Sequence, residues 1–204
     1  MAARIALATH NPHKVAEIWA ILAPLVPGLT RDAVASASEL GAPSPVEDGT
    51  SFAENALIKA RALCAATGLP AIADDSGIAV DIMGGAPGIF SALWSGRHGA
   101  DSENLELLLA QMADIPAANR GAAFVCAAVL VNADGTEVVE IGTVRGELAT
   151  AASGGNGFGY DPIFIPEGFS VTSAELDPDV KNAISHRAAA FRALAPHVAA
   201  VLSS

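Results

Sequence analysis

Apolar and polar positions recur along this chain with two spacings, and the spacings mark its elements. Residues 4–8 form a short apolar run closed by Thr9-His10-Asn11, which predicts a buried strand; residues 12–22 carry apolar side chains at helical spacing, with Pro12 suited to a first turn. Pro24, Pro27 and Gly28 end that helix, a weak strand is expected near 29–34, and residues 41–49 read as a loop. Ser51-Phe52-Ala53-Glu54 has the form of a capping box, in which Ser51 accepts from a free backbone N–H and Glu54 reaches back to the cap, so a helix is predicted from there to Gly68. Residues 71–73 and 78–82 are strand-like and separated by Asp74-Asp75-Ser76-Gly77, which reads as a turn. Residues 84–88 predict a flexible connection and residues 101–112 a helix. Residues 124–131 and 136–147 flank Asn132-Ala133-Asp134-Gly135, a hairpin signal. Residues 149–160 are rich in Gly and Ser, 163–165 suggest a strand, and 188–202 a terminal helix despite Pro196. Interleaved helices and strands with at least one hairpin imply an α/β protein with a mixed sheet, and the absence of a repeat or linker implies a single domain over residues 1–204.

Composition narrows the function classes. A chain of 204 residues with 51% hydrophobic content buries a substantial core. Its net charge of -11 repels nucleic-acid phosphates, and no local basic track offsets it, so no nucleic-acid polymer is expected as partner. The longest apolar run, 122–131, is too short to span a bilayer, and His10 and Asn11 interrupt the apolar start. The expectation is a cytoplasmic protein with no membrane partner. Cys64 and Cys126 fall in helical and strand patterns and read as buried hydrophobes.

Against this acidic background only three lysines occur, Lys14, Lys59 and Lys181, each in a polar or cap-rich segment. Lys14 closes Thr9-His10-Asn11-Pro12-His13-Lys14 after the first strand, a turn resembling a phosphate cradle without the glycines of a Walker loop. Lys181, His186 and Arg187 offer a point charge, a titratable donor and a planar fork, which suit phosphate oxygens, although taken alone such a cluster is more often a solvated helix start. In Gly157-Phe158-Gly159-Tyr160-Asp161 the glycines allow close approach of a ligand: the aromatic rings either stack on a nucleobase while Asp161 reads its edge, or tuck into the core. Glu47 and Asp75 are candidate ligands of one Mg²⁺, the alternative for Asp74-Asp75-Ser76 being plain turn chemistry. Asn55 and Lys59 share a helix face, as a cleft-facing pair or as surface polarity.

Thr9-x-Asn11-x-x-Lys14, Glu47 before Phe52-x-Glu54-Asn55-Ala56-x-x-Lys59, Ala73-Asp74-Asp75-Ser76-Gly77, Gly85-Ala86-Pro87-Gly88, Gly157-Phe158-Gly159-Tyr160-Asp161-Pro162 and Ser185-His186-Arg187, taken in order, resemble the noncanonical purine nucleoside triphosphate pyrophosphatases, the inosine triphosphatase or Ham1-like family. The resemblance implies an elongated two-lobed fold with a long mixed central sheet flanked by helices, an active-site cleft between the lobes, and a homodimer. It implies hydrolysis of ITP, dITP and XTP to monophosphate and pyrophosphate, with Mg²⁺ as cofactor. Asp75 is then the catalytic carboxylate and, with Glu47, the metal ligand. Substrate contacts fall on Thr9, His10, Asn11, Pro12, His13, Lys14, Ser76, Phe158, Gly159, Tyr160, Asp161, Lys181, His186 and Arg187. The sequence departs from the family pattern at His10, commonly glycine, at Pro12 and His13, commonly small, and at Leu93-Trp94, frequently Arg-Tyr. Other altered nucleotides as substrates, or a catalytically silent nucleotide sensor, are the alternatives.

Overall fold

The computed structural model describes residues 3–203. Among the described residues six strands form one sheet in the order β2-β1-β3-β4-β5-β6: β1 Ile5–Leu7, β2 Val34–Ser36, β3 Ala71–Val80, β4 Gly121–Val131, β5 Glu137–Leu148 and β6 Phe164–Pro166. β1 runs parallel to β2 and β3, with Ile5 opposite Val34 and Ala6 opposite Ala71, whereas β5 and β6 are antiparallel, so the sheet is mixed as the pattern predicts. Its helices are α1 Pro12–Leu22, α2 Phe52–Thr67, α3 Asp101–Gln111, α4 Pro178–Ile184 and α5 His186–Ser203.

The chain packs as two compact units. The first comprises Met1–Asp75, Cys126–Gly142 and Arg187–Ser204, the second Ser76–Val125 and Thr143–His186. In the first, β1 and residues 126–131 of β4 are buried on both faces, which is why they read as unbroken apolar runs. Ile5, Leu7 and Ile72 face Ile18 and Leu22 of α1 and Phe191 and Leu194 of α5. Ala6, Ala71 and Ala73 face Ala56, Ala60 and Leu63 of α2. Small residues on both sides of that second contact bring helix and sheet close together. In the second unit, Ile78, Leu105, Leu108, Met112, Tyr160, Ile163 and Phe164 share a core.

Three elements differ from the sequence expectation. Residues 31–33 form a short 3-10 turn, and the weak strand starts after it, at Val34. The short helix α4 stands where only a loop-to-helix transition was expected; Asp177 caps it by accepting from the Asp179 N–H, with Pro178 in its first turn. The third difference matters most for function. Asp74-Asp75-Ser76-Gly77 is no turn but the middle of the ten-residue strand β3. A strand tolerates two adjacent aspartates because consecutive side chains leave by opposite faces, each to its own set of cations. The strand expected to reach residue 82 ends at Val80, where residues 81–83 and then 88–93 form 3-10 turns. Local signals hold elsewhere: Ser51 caps α2 by accepting from the Glu54 N–H, and the 132–135 turn closes through Asn132 N–H to Thr136 O at 2.9 Å. Both cysteines are free and buried.

Candidate active site

In the first unit the alternation of β3 sorts its two carboxylates. Asp74 shares the face of Ile72, toward α1 and α5. Its Oδ1 and Oδ2 accept from Lys14 Nζ at 3.3 and 3.1 Å, and Oδ2 also accepts from Arg187 Nε and Nη2 at 3.2 and 3.1 Å. Arg187 Nη1 donates to Glu17 Oε2 at 2.7 Å. Asp74 and Arg187 are both buried. Burial works against the Asp74 carboxylate, but Lys14 and Arg187 outweigh it and hold its pKa far below the ordinary range; burial likewise disfavours the Arg187 charge, and Asp74 outweighs it.

Asp75 shares the face of Ala73, toward α2. Its Oδ1 accepts from Lys59 Nζ at 3.2 Å, and the same ammonium donates to Glu47 Oε2 at 2.9 Å. Asn55 Nδ2 lies 3.5 Å from Asp75 Oδ2, while Asn55 Oδ1 accepts from the Gly49 N–H at 2.9 Å, tying the Glu47 loop to α2. Asn55 and Lys59, four residues apart, therefore face the carboxylates together. Burial raises the Asp75 pKa above its usual value against the opposing pull of Lys59 and Lys14. Burial opposes the Lys59 charge, but Asp75 and Glu47 more than compensate and raise its pKa.

A single ammonium bridging Glu47 and Asp75 shows that these two carboxylates converge on a space the size of one cation. Two hard oxygen ligands, with the remainder supplied by phosphate and water, is the set Mg²⁺ takes in nucleotide enzymes, so the residues fit that ion. Among the described residues no group of three or more His, Cys, Asp and Glu side chains forms a complete metal cage.

Residues 9–11 precede Lys14 between β1 and α1. Thr9 Oγ1 accepts from the Asn11 N–H at 3.1 Å, and the His10 ring nitrogens contact Ala42 O and Ser44 Oγ, both at 3.1 Å, bracing the 41–44 loop. The side chains of Pro12 and His13 lie outside the described residues.

In the second unit the glycine-rich segment folds around Asp161. Its buried Oδ2 accepts from the Phe158 N–H at 2.9 Å and pairs with Lys181 Nζ at 2.9 Å. A side chain at Gly157 would run into that carboxylate, so only glycine permits the turn. The structure separates the two aromatic residues that the sequence left undecided. Phe158 is 44% exposed, with Lys181 Nζ 5.3 Å from its ring centroid, whereas Tyr160 is buried and its hydroxyl donates to Ser91 O at 2.8 Å. His186 stacks on Phe124 with ring centroids 4.8 Å apart. Ser76 and Gly159 lie in β3 and in the Phe158–Asp161 turn respectively.

Asp74, which the sequence reads as half of a turn, is the residue it misses; for Asn55 and Lys59 the structure favours the functional alternative over surface polarity, both facing Asp75. Period-two alternation continued from Ile72-Ala73 separates the two aspartates, and the i, i+4 spacing of Asn55 and Lys59 marks their common face.

Chemically, the first unit presents a carboxylate of raised proton affinity beside ammonium groups and a second carboxylate. The second presents an exposed aromatic face beside a lysine held by a buried aspartate.

Comparison with known proteins gives a consistent picture. The Ham1 family model matches residues 5–197. A protein of Streptomyces avermitilis named dITP/XTP pyrophosphatase is 57% identical over 199 residues, covering 98% of each chain. A HAM1 protein from Coxiella burnetii superposes with a TM-score of 0.86 at 38% identity, covering 97% of this chain and 98% of that one. The structure of a nucleoside-triphosphatase, dITP/XTP pyrophosphatase, from Mycobacterium abscessus superposes with a TM-score of 0.77 at 48% identity, covering 94% and 98%.

Proposed function

Because the chain belongs to the Ham1 family, we propose that it is a nucleoside triphosphate pyrophosphatase that hydrolyses dITP, ITP and XTP to the monophosphate and pyrophosphate, clearing noncanonical purines from the nucleotide pool. The observation that carries this reading is the pair of carboxylates, Glu47 and Asp75, gathered on the Lys59 ammonium beside Asn55. A nucleotide sensor without chemistry has no need of that arrangement. The S. avermitilis protein, whose name states the same activity, covers 98% of this chain.

Glu47 and Asp75 would hold Mg²⁺, which when bound neutralises the charge of the triphosphate. Asp75 accepts the proton of the attacking water: burial raises its proton affinity toward that of a useful base, while Lys59 and Asn55 fix its orientation. In the first unit Lys14 meets the phosphate charge that develops, with Thr9, His10, Asn11, Pro12 and His13 in the turn that carries it; Lys181 and Ser76 are the second unit's substrate contacts. Arg187 acts at one remove, holding Asp74, which in turn aims Lys14.

Phe158 offers its exposed face to the base. Gly159, Asp161 and His186 complete base recognition, with Tyr160 supporting their turn from the core; the backbone N–H donors of the turn favour a 6-oxo purine because they leave the 6-amino group of adenine facing another donor. The same reading makes the active species a homodimer of one domain over residues 1–204, working in the cytoplasm. No helix among the described residues is long and apolar enough to cross a membrane.

The test is product analysis on dITP, ITP, XTP, GTP and ATP, with and without Mg²⁺. Equimolar monophosphate and pyrophosphate from the first three, abolished by EDTA and restored by Mg²⁺, is the expected result; release of orthophosphate contradicts the reading.

A further inference from the structure

Ser91 is buried and contacts neither the Glu47–Asp75 pair nor Phe158, yet it joins three segments of the second unit. Its Oγ accepts from the Ile78 N–H at 2.9 Å and donates to Gly88 O at 2.6 Å. Its carbonyl oxygen accepts from the Tyr160 hydroxyl at 2.8 Å. Gly77 leaves room for this hydroxyl, since a Cβ there would collide with Ser91 Oγ and Gly88 O. The flanking chain is fixed as well: buried Asn104 of α3 donates to Ala92 O at 3.3 Å and accepts from the Ser95 N–H at 2.6 Å.

Tyr160 lies two residues after Phe158 and one before Asp161. Ile78 is the third residue after Asp75 in β3. One buried serine therefore connects the β3 backbone to the turn carrying the aromatic face and the lysine-binding aspartate.

We propose that Ser91 is a positioning residue for base recognition, bracing the Phe158–Asp161 turn against β3 through the Tyr160 hydroxyl; the kinetic part of this proposal rests on the pyrophosphatase reading. An unbraced turn still presents Phe158, but over a wider range of positions, so a fraction of encounters fails to engage the base. The loss falls on substrate affinity and base discrimination, while the chemistry at Asp75 is left in place once a nucleotide is bound.

Two variants cut the brace at different links. Ser91→Ala removes the hydroxyl that grips Ile78; Tyr160→Phe keeps the buried ring and removes only the donor to Ser91 O. Each is expected to raise KM for ITP by about tenfold with kcat within about threefold of wild type, and to lower the ITP-to-ATP ratio of kcat/KM by a similar factor. Inhibition by free pyrophosphate, which engages no base, stays unchanged. Since both variants break one connection in series, the double variant is expected to match either single one.

Hydrogen exchange provides a readout independent of turnover. Amides of residues 154–163 exchange faster in both variants, while those of residues 5–7 do not change. Should the wild type fail to release pyrophosphate from ITP, the functional reading fails, and the exchange data alone decide the brace. Unaltered exchange at 154–163 overturns it, as does a lowered thermal stability with KM and base discrimination unchanged.

Discussion

Asp75 and Asp74 are neighbours in sequence with opposite electrostatic fates, and each fate predicts a measurement. Asp75→Asn keeps the shape of the site and removes its proton acceptor. Turnover should fall more than tenfold, on the scale of other lost charge-stabilising groups, while nucleotide affinity changes little; single-turnover rates alongside equilibrium binding check this, and near-normal turnover contradicts it. Asp74 predicts a pH effect on stability. Its folded pKa is depressed, so its contribution is complete above the ordinary carboxylate pKa of about 3.9 and is lost as pH falls below that toward the folded value. Asp74→Asn leaves Lys14 and Arg187 without their carboxylate and should cost roughly 3–5 kcal/mol at neutral pH, a deficit that narrows toward pH 3. Urea unfolding at several pH values tests the sign, and a deficit constant with pH contradicts it. At this scale the sequence showed which residues carry charge in unusual places: Lys14, Lys59 and Lys181 stand out from an acidic composition. It did not show partners. Arg187 meets Asp74 across 113 positions, and no local pattern encodes that contact.

Among the elements, α2 and the β4–β5 hairpin were legible because their signals are local: a capping box for one, an Asp-Gly turn between apolar runs for the other. β3 was misread because aspartates, serine and glycine are the residues of turns, and only burial and pairing from α1, α2 and α5 keep them in a strand. Helix α4, at seven residues, is too short to register a period. Arg120 shows another element-level contact hidden from sequence. Its guanidinium is buried and donates to the carbonyl oxygens of Met112, Ile115, Leu148 and Ala149 at 2.6, 3.4, 2.8 and 2.7 Å, joining the end of α3 to the end of β5. Arg120→Ala strands these acceptors and should cost about 3 kcal/mol, lowering Tm on the order of 10 °C for a chain of this length. Calorimetry checks it; a shift of a degree or less assigns the four contacts no net stabilising role.

At the scale of the whole molecule, the sequence predicted the fold class correctly because alternating elements plus a hairpin admit little other than a mixed sheet. Strand order and the division of residues between the two compact units depend on long-range pairing and lay beyond it. The homodimer in the proposed reading has a direct check: light scattering on the purified chain should give twice the monomer mass of 20.5 kDa, and a monomer that retains full activity contradicts it. The central claim, selective pyrophosphate release from 6-oxo purine triphosphates, is tested most directly by steady-state kinetics on dITP, XTP and ATP with monophosphate and pyrophosphate quantified together. The account predicts equimolar products and a kcat/KM on dITP and XTP exceeding that on ATP by about a hundredfold or more; comparable efficiency on ATP, or orthophosphate as the product, would contradict it.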